Sequence, residues 1–200
     1  AYMLIAGNSF LLPFYLELVK GMDSAKTGMI LLTYSLIYVF VSPYAGKLSD
    51  RTNPVMICAF AMISGAVNTF VFAYTMKLSG LAPVIIFLAW LGFSYVFFLS
   101  PINSLVMGLA PKGKEGAASG LLNTAINLSM VFGVAVFELI FSQCLRGGTQ
   151  NGAGLHNFQV PLSVMLKGFS YTYVAGGFMC PAAMLFSYMV KKRPRYDKLT

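Results

Sequence analysis

The sequence predicts an all-α membrane protein of six transmembrane helices, and three observations carry that expectation. Apolar residues make up 58% of the 200 positions and charged residues 10%, with a mean hydropathy of +0.74, far from the composition of a soluble domain. The apolar residues fall into six runs, approximately 1–19, 27–45, 55–76, 83–107, 117–142 and 168–190, near or above the roughly 18 residues that cross a bilayer. The basic residues are also unevenly shared between the two sides of such a bundle. One side holds Lys47, Arg51, Lys112, Lys114, Lys191, Lys192, Arg193, Arg195 and Lys198; the other holds Lys20, Lys26, Lys77, Arg146 and Lys167. The richer side is expected to be cytoplasmic, which places the C-terminal tail 191–200 inside and makes the chain a multi-pass protein of the plasma membrane.

The net charge of +8 does not point to nucleic acid, because the charges sit between or beyond apolar runs and form no solvated basic face. Cys58, Cys144 and Cys180 are an odd, widely spaced set, and His156 is the only histidine, so neither a disulfide framework nor a metal site is indicated. No Ser/His/Asp or Cys/His set and no phosphate loop is present, so no enzyme is expected. The chain opens at Ala1 already in apolar sequence, without the basic flank of a signal peptide. The expectation is a part of a longer protein, cut inside a helix.

In the first run, Pro13 removes a backbone donor and is expected to kink the helix near its outer end, with Gly21 and Gly28 bracketing an outer turn. Pro101, Leu105-Val106, Gly108 and Gly116 repeat the order of Pro13, Leu18-Val19, Gly21 and Gly28. Because the first and fourth spans run in opposite directions, this echo fits an inverted repeat of three spans plus three; chance spacing in a Gly-rich chain is the competing account. In the second run, Tyr34 and Tyr38 stand one turn apart and form either a cavity wall or packed, interfacial phenols.

The link Pro43-Tyr-Ala-Gly46-Lys-Leu-Ser-Asp50-Arg51 reads as a cytoplasmic hairpin. Gly46 would allow two helices to approach, Asp50 would sit just ahead of the third helix, whose N-terminus favours a carboxylate, and Arg51 would mark the inner side. Pro54 fits the first position of the third helix, with Asn53 or Thr52 as its cap. The fourth run carries Trp90, Ser94, Tyr95, Phe97, Phe98 and Asn103, where packing or lipid contact competes with a pocket.

In the fifth run, Asn123, Asn127, Met130, Val134, Glu138 and Phe141 share one helical face, while Leu121, Leu128, Phe132 and Leu139 occupy the other. Such a stripe either lines a cavity or supplies interhelical hydrogen bonds. Glu138, a carboxylate within a span, is the candidate proton carrier, with a boundary charge as the alternative. Glu17 is the competing carboxylate, read as exposed or paired because Lys20 lies three residues on. Residues 143–167 are expected to form an external loop, either a lid or a spacer, ending in a short interfacial helix over Val160–Leu166.

Gly46-x-Leu48-x-Asp50-Arg51 between two spans resembles the loop signature of the major facilitator superfamily of secondary transporters. Gly116-Ala-Ala-Ser119-Gly120-Leu-Leu-Asn123-Thr124 with Gly133-Val-Ala135 is similar to the penultimate helix of the fourteen-span drug:proton antiporters. Leu12-Pro13-x-Tyr15-Leu16 resembles the ninth helix of the same group. The chain departs from the superfamily at Thr52-Asn53-Pro54, where further Gly and basic residues are usual, so no role of those residues carries over.

The resemblance implies the C-terminal six-span half of a major facilitator bundle, residues 1–200, whose N-terminal half is the missing partner. It implies a proton-coupled exporter of amphipathic compounds that works by alternating access, with the proton gradient as driving force and no cofactor. The expected substrate cavity comprises Tyr34, Tyr38, Asn103, Asn123, Asn127 and Met130, with Glu138 for the proton and Gly46, Asp50 and Arg51 as a conformational hairpin. The alternatives are an importer of a small metabolite on the same fold and a non-transporting membrane scaffold or receptor.

Overall fold

The computed structural model describes residues 2–78, 80–148 and 161–191, with side chains throughout except at Asp50, 147–148 and 180–191. It contains α1 (Tyr2–Phe14), a π-helical turn (Tyr15–Val19), α2 (Ser24–Arg51), α3 (Pro54–Thr75), α4 (Ala82–Leu109), α5 (Glu115–Gly148) and α6 (Leu162–Lys191). Among the described residues there is no strand, and five segments are long and apolar enough to cross a membrane: Tyr2–Val19, Ser24–Ser49, Pro54–Thr75, Ala82–Leu109 and Glu115–Arg146.

Local chemistry explains most boundaries. Pro13 offers no N–H to the turn before it, and directly after it the chain widens into the π-helical turn, whose Lys20 N–H donates to the Tyr15 carbonyl at 3.3 Å. Gly21, at φ +64°, then reverses the chain in a left-handed conformation that a side chain would oppose. Gly28 lies inside α2 rather than at the turn. Pro54 fills the first position of α3, as the sequence predicts, and of the two caps the sequence allows, Asn53 and Thr52, it is Asn53 that accepts the Val55 N–H at 3.0 Å. Pro101, by contrast, is carried inside an uninterrupted α4, so the two prolines of the sequence echo produce different local structure.

The helices alternate in direction. At one end of the bundle Tyr15 donates its hydroxyl to the Met76 carbonyl at 2.6 Å, and Ser170 donates to the Ala73 carbonyl at 3.0 Å. At the other end the Tyr2 ring stands 5.9 Å from that of Phe98. Stacked Phe72 and Phe87, with Tyr173 edge-on to both, Tyr15 edge-on to Phe72 and Phe169 edge-on to Tyr15, fill the core at the first end.

Two crossings are tight because glycine removes the side chain. A Cβ at Gly133 of α5 would collide with the Met3 backbone of α1, and one at Gly92 of α4 would lie 2.9 Å from the Tyr34 carbonyl of α2. The α1 and α4 backbones, however, nowhere bring Cα atoms within 8 Å of each other among the described residues, and side chains span the gap. Likewise the α2 and α5 backbones bring no Cα atoms within 8 Å of each other among the described residues; α2 packs on α4, α5 packs on α1, and α6 packs on α3 and α5.

Several sequence expectations are corrected. The link after Pro43 is not a loop: α2 runs on through Arg51, and Thr52-Asn53 alone make the turn. Asp50 therefore lies in the last turn of α2, at a helix C-terminus where a carboxylate gains nothing from its own helix dipole. A Cβ at Gly46 would meet open space; the close contact falls on Ala45, which is fully buried with Ile57, Ala61 and Val96, and on buried Ser49. Val160–Leu166 does not end a loop in a separate helix, since α6 already begins at Leu162, while residues 149–160 of the expected external loop lie outside the described residues. Glu17 is half-buried in the π-helical turn without an ion pair to Lys20; the Lys20 ammonium donates to the Leu78 carbonyl at 2.9 Å instead.

Candidate functional site

The gap between α1 and α4 organises the polar features of the bundle. Tyr34 and Tyr38 of α2 lie one turn apart, and both face Tyr95 of α4, with ring centroids at 6.0 and 5.7 Å; Tyr2 of α1 approaches the same ring edge-on at 6.1 Å. Four phenols from three helices therefore meet where the backbones stay apart. Aromatic rings suit this position, since each spans the gap with a flat apolar face and carries a hydroxyl at its end.

Beside the tyrosines lies a cavity of ≈ 240 Å³ between α1, α2 and α4, lined in part by Asn8, Ser9, Tyr34 and Ser35. Asn8 is 1% exposed, donates its amide to the Leu4 carbonyl at 2.7 Å, and leaves its Oδ1 buried with no hydrogen-bond partner. Ser9 and Ser35 are exposed at the rim. Sequence reasoning missed Asn8, Ser9 and Ser35, although a polar pair inside the first apolar run was a visible signal. Tyr95 was noted only as one aromatic among several, because its partners come from other helices.

The fifth-helix residues form a separate group. Asn123, Asn127 and Glu138 are exposed on α5, with Met130 half-buried, and Glu138 has no ion-pair partner among the described residues. Its neighbour Phe137 is fully buried, so the packed face of α5 is rotated from the polar stripe and centred on Gly133 and Phe137. The helix continues ten residues past Glu138 to Gly148, about 15 Å at 1.5 Å per residue, so Glu138 is not one turn from the end of its helix as the run 117–142 implied. Asn103 is exposed on α4 beyond Pro101, and Arg51 is exposed at the end of α2. Tyr34 and Tyr38 thus flank the α1 and α4 gap from α2, while the Asn123–Glu138 stripe rides on α5, which packs on α1 and brings no Cα atom within 8 Å of α2 among the described residues.

The described residues thus form a bundle of apolar, membrane-length helices around a polar, tyrosine-walled gap. The chain belongs to the Major Facilitator Superfamily, whose family model matches residues 1–134. Among curated proteins it is similar to the riboflavin transporter RibZ of Clostridioides difficile, 34% identical over 137 residues, covering 68% of this chain and 30% of that protein. It is similar to the methyl viologen resistance protein SmvA of Salmonella typhimurium, 26% identical over 155 residues, covering 78% of this chain and 31% of that protein. The lincomycin resistance protein LmrB of Listeria monocytogenes is 26% identical over 196 residues, covering 96% of this chain and 41% of the relative. The chain thus spans less than half the length of these relatives. No solved structure gives a significant match.

Proposed function

We propose that the chain is the C-terminal six-span half of a proton-coupled exporter of amphipathic compounds that works by alternating access with a second half. The observation that carries this reading is the uneven covering of the helices. In the membrane-crossing windows of α1, α3 and α4, 39–44% of residues are buried, against 6% in α2 and 11% in α5. Two helices on opposite flanks of one gap, each apolar and nearly bare, fit a bundle whose other half covers them. The names of two relatives, resistance proteins for methyl viologen and lincomycin, support efflux. The name of the riboflavin transporter supports a second reading, carriage of a neutral metabolite by the same fold.

The deciding experiment places the full-length protein in vesicles and imposes a pH gradient. Accumulation of lincomycin against its own gradient, abolished by a protonophore, is the expected result; flux that ignores the pH gradient would remove proton coupling. Fragment 1–200 alone should give no flux above empty vesicles, because the site in this architecture lies between two halves.

The proposed orientation, with the turn after α2 inside, has its own test. Thr52 and Lys77 are both exposed and close opposite ends of α3. With Cys58, Cys144 and Cys180 replaced, Thr52→Cys should react with an impermeant thiol reagent only from the cytoplasmic side and Lys77→Cys only from outside. Reversed labelling would overturn the orientation drawn from the basic residues.

A further inference from the structure

We infer that the apolar groove between α3 and α4 holds one acyl chain of an anionic phospholipid, whose headgroup lies on Lys20 and Lys77 at the groove's mouth. The inference is independent of the direction of transport and of its cargo.

The first ground is the groove itself. It has a volume of ≈ 250 Å³ and runs from Leu78 and Ala82, beside the turn that joins α3 to α4, down to Asn68 and Trp90. Trp90 stands eight residues after Ala82, which places the floor about 12 Å below the mouth at 1.5 Å per residue. The lining carries no charge, and its three polar side chains have donors engaged within the protein: Asn68 with the Phe87 carbonyl at 3.0 Å, Thr75 with the Val71 carbonyl at 2.9 Å, and Trp90 with Ser64 Oγ at 2.7 Å. A polar ligand would lose hydration there for little return, whereas hydrocarbon loses nothing. The open side, with Val71 and Ile86 exposed on membrane-crossing helices, needs no further wall, because an acyl chain meets apolar neighbours on that side too.

The second ground is the charge at the mouth. Lys20, in the turn after α1, donates its ammonium to the carbonyl of Leu78, a lining residue, at 2.9 Å, and this exposed bond uses one of three N–H donors. Lys77, exposed, directly precedes Leu78. No ion pair among the described residues neutralises either ammonium, although Glu17 and Asp23 flank Lys20 in the sequence. Two such ammonium groups at the open end of a hydrocarbon slot match a phosphodiester joined to an acyl chain. The phosphate is drawn to the lysines at the membrane boundary, where it keeps part of its water, and the chain follows into the groove. A zwitterionic lipid brings the same chain, but its own cation offsets that attraction.

Trp90 is the only tryptophan of residues 1–200 and lies at the floor, so it reports the occupant directly. The full-length protein, with any tryptophan outside residues 1–200 changed to phenylalanine, is placed in vesicles of equal parts phosphatidylglycerol and phosphatidylcholine, with bromines midway along the acyl chains of one lipid or the other. Quenching of Trp90 should show a relative affinity about tenfold in favour of phosphatidylglycerol. Lys77→Gln should cut that preference about fivefold, the pull of one basic residue on an anionic lipid, and Lys20→Gln combined with Lys77→Gln should erase it. Lys112→Gln, the same charge change beyond the opposite end of α4, should leave it unchanged. Equal quenching by the two lipids would mean ordinary boundary lipid and overturns the inference. No quenching by either would mean that protein covers the groove, and overturns it as well. A preference that survives the double substitution overturns the headgroup site. A second readout needs no tryptophan changes: wild-type protein extracted from the same vesicles should retain phosphatidylglycerol over phosphatidylcholine in intact mass spectrometry, and absence of that selectivity overturns the inference.

Discussion

Phe137→Ala should cost the full-length protein about 3 kcal/mol of stability, read as a lowered thermal or denaturant midpoint in detergent. Phe137 is fully buried, and its ring occupies a notch between two glycines on different helices. A Cβ at Gly7 of α1 would stand 2.5 Å from the ring, and one at Gly176 of α6 would stand 2.6 Å from it. The ring therefore keys α5 to both α1 and α6. Removing it leaves a cavity that rigid helix backbones cannot close, which in cores costs about 3–5 kcal/mol. The lower end applies because a displaced helix face would meet lipid, which is as apolar as the notch. Ile63→Ala, on α3 at a side chain 52% exposed, should change stability by less than about 0.5 kcal/mol. Equal effects of the two substitutions would mean that Phe137 is not the key. Gly176→Ala should also destabilise, and a smaller ring-free partner, Phe137→Leu, should partly restore the double variant.

Glu138→Gln should abolish substrate-induced proton release in vesicles while leaving exchange of substrate for substrate intact. The proposal that Glu138 carries the proton rests on its place in α5. It is a carboxylate within a membrane-crossing helix, exposed, without an ion-pair partner among the described residues, and nearly three turns from the end of that helix. Ionisable groups at such depth are costly and face water-filled cavities or partner helices. Its neighbour Phe137 fixes the rotation of α5, which sets the direction in which Glu138 leaves the helix. Gln keeps the size and hydrogen bonding of the side chain but cannot titrate, so coupling and transport separate. Proton release at the wild-type level in Glu138→Gln would assign the coupling group to the other half. Loss of exchange as well would mark Glu138 as a structural or substrate contact.

The sequence by itself determined that this protein is helical, where most of the apolar runs lie, and that Pro54 opens α3. Each of these depends on chemistry within a few neighbouring residues: hydropathy over a window and the missing N–H of Pro54. The Tyr34 and Tyr38 spacing was legible for the same reason, since a helical turn fixes it.

Only the tertiary structure decided where helices approach and where they part. Gly46 and Gly133 look alike in the sequence, yet a Cβ at one meets open space and at the other meets the backbone of α1. Continuation of α2 through Asp50 was hidden because the polar residues after Pro43 break the hydropathy pattern without breaking the helix. The rotation of α5 was hidden too: its polar stripe drew attention to Asn123 and Glu138, while the helix is held by Gly133 and Phe137 on the adjoining face. Asn8 was hidden as well, because its burial is set by helices distant in the sequence, and no local pattern records that.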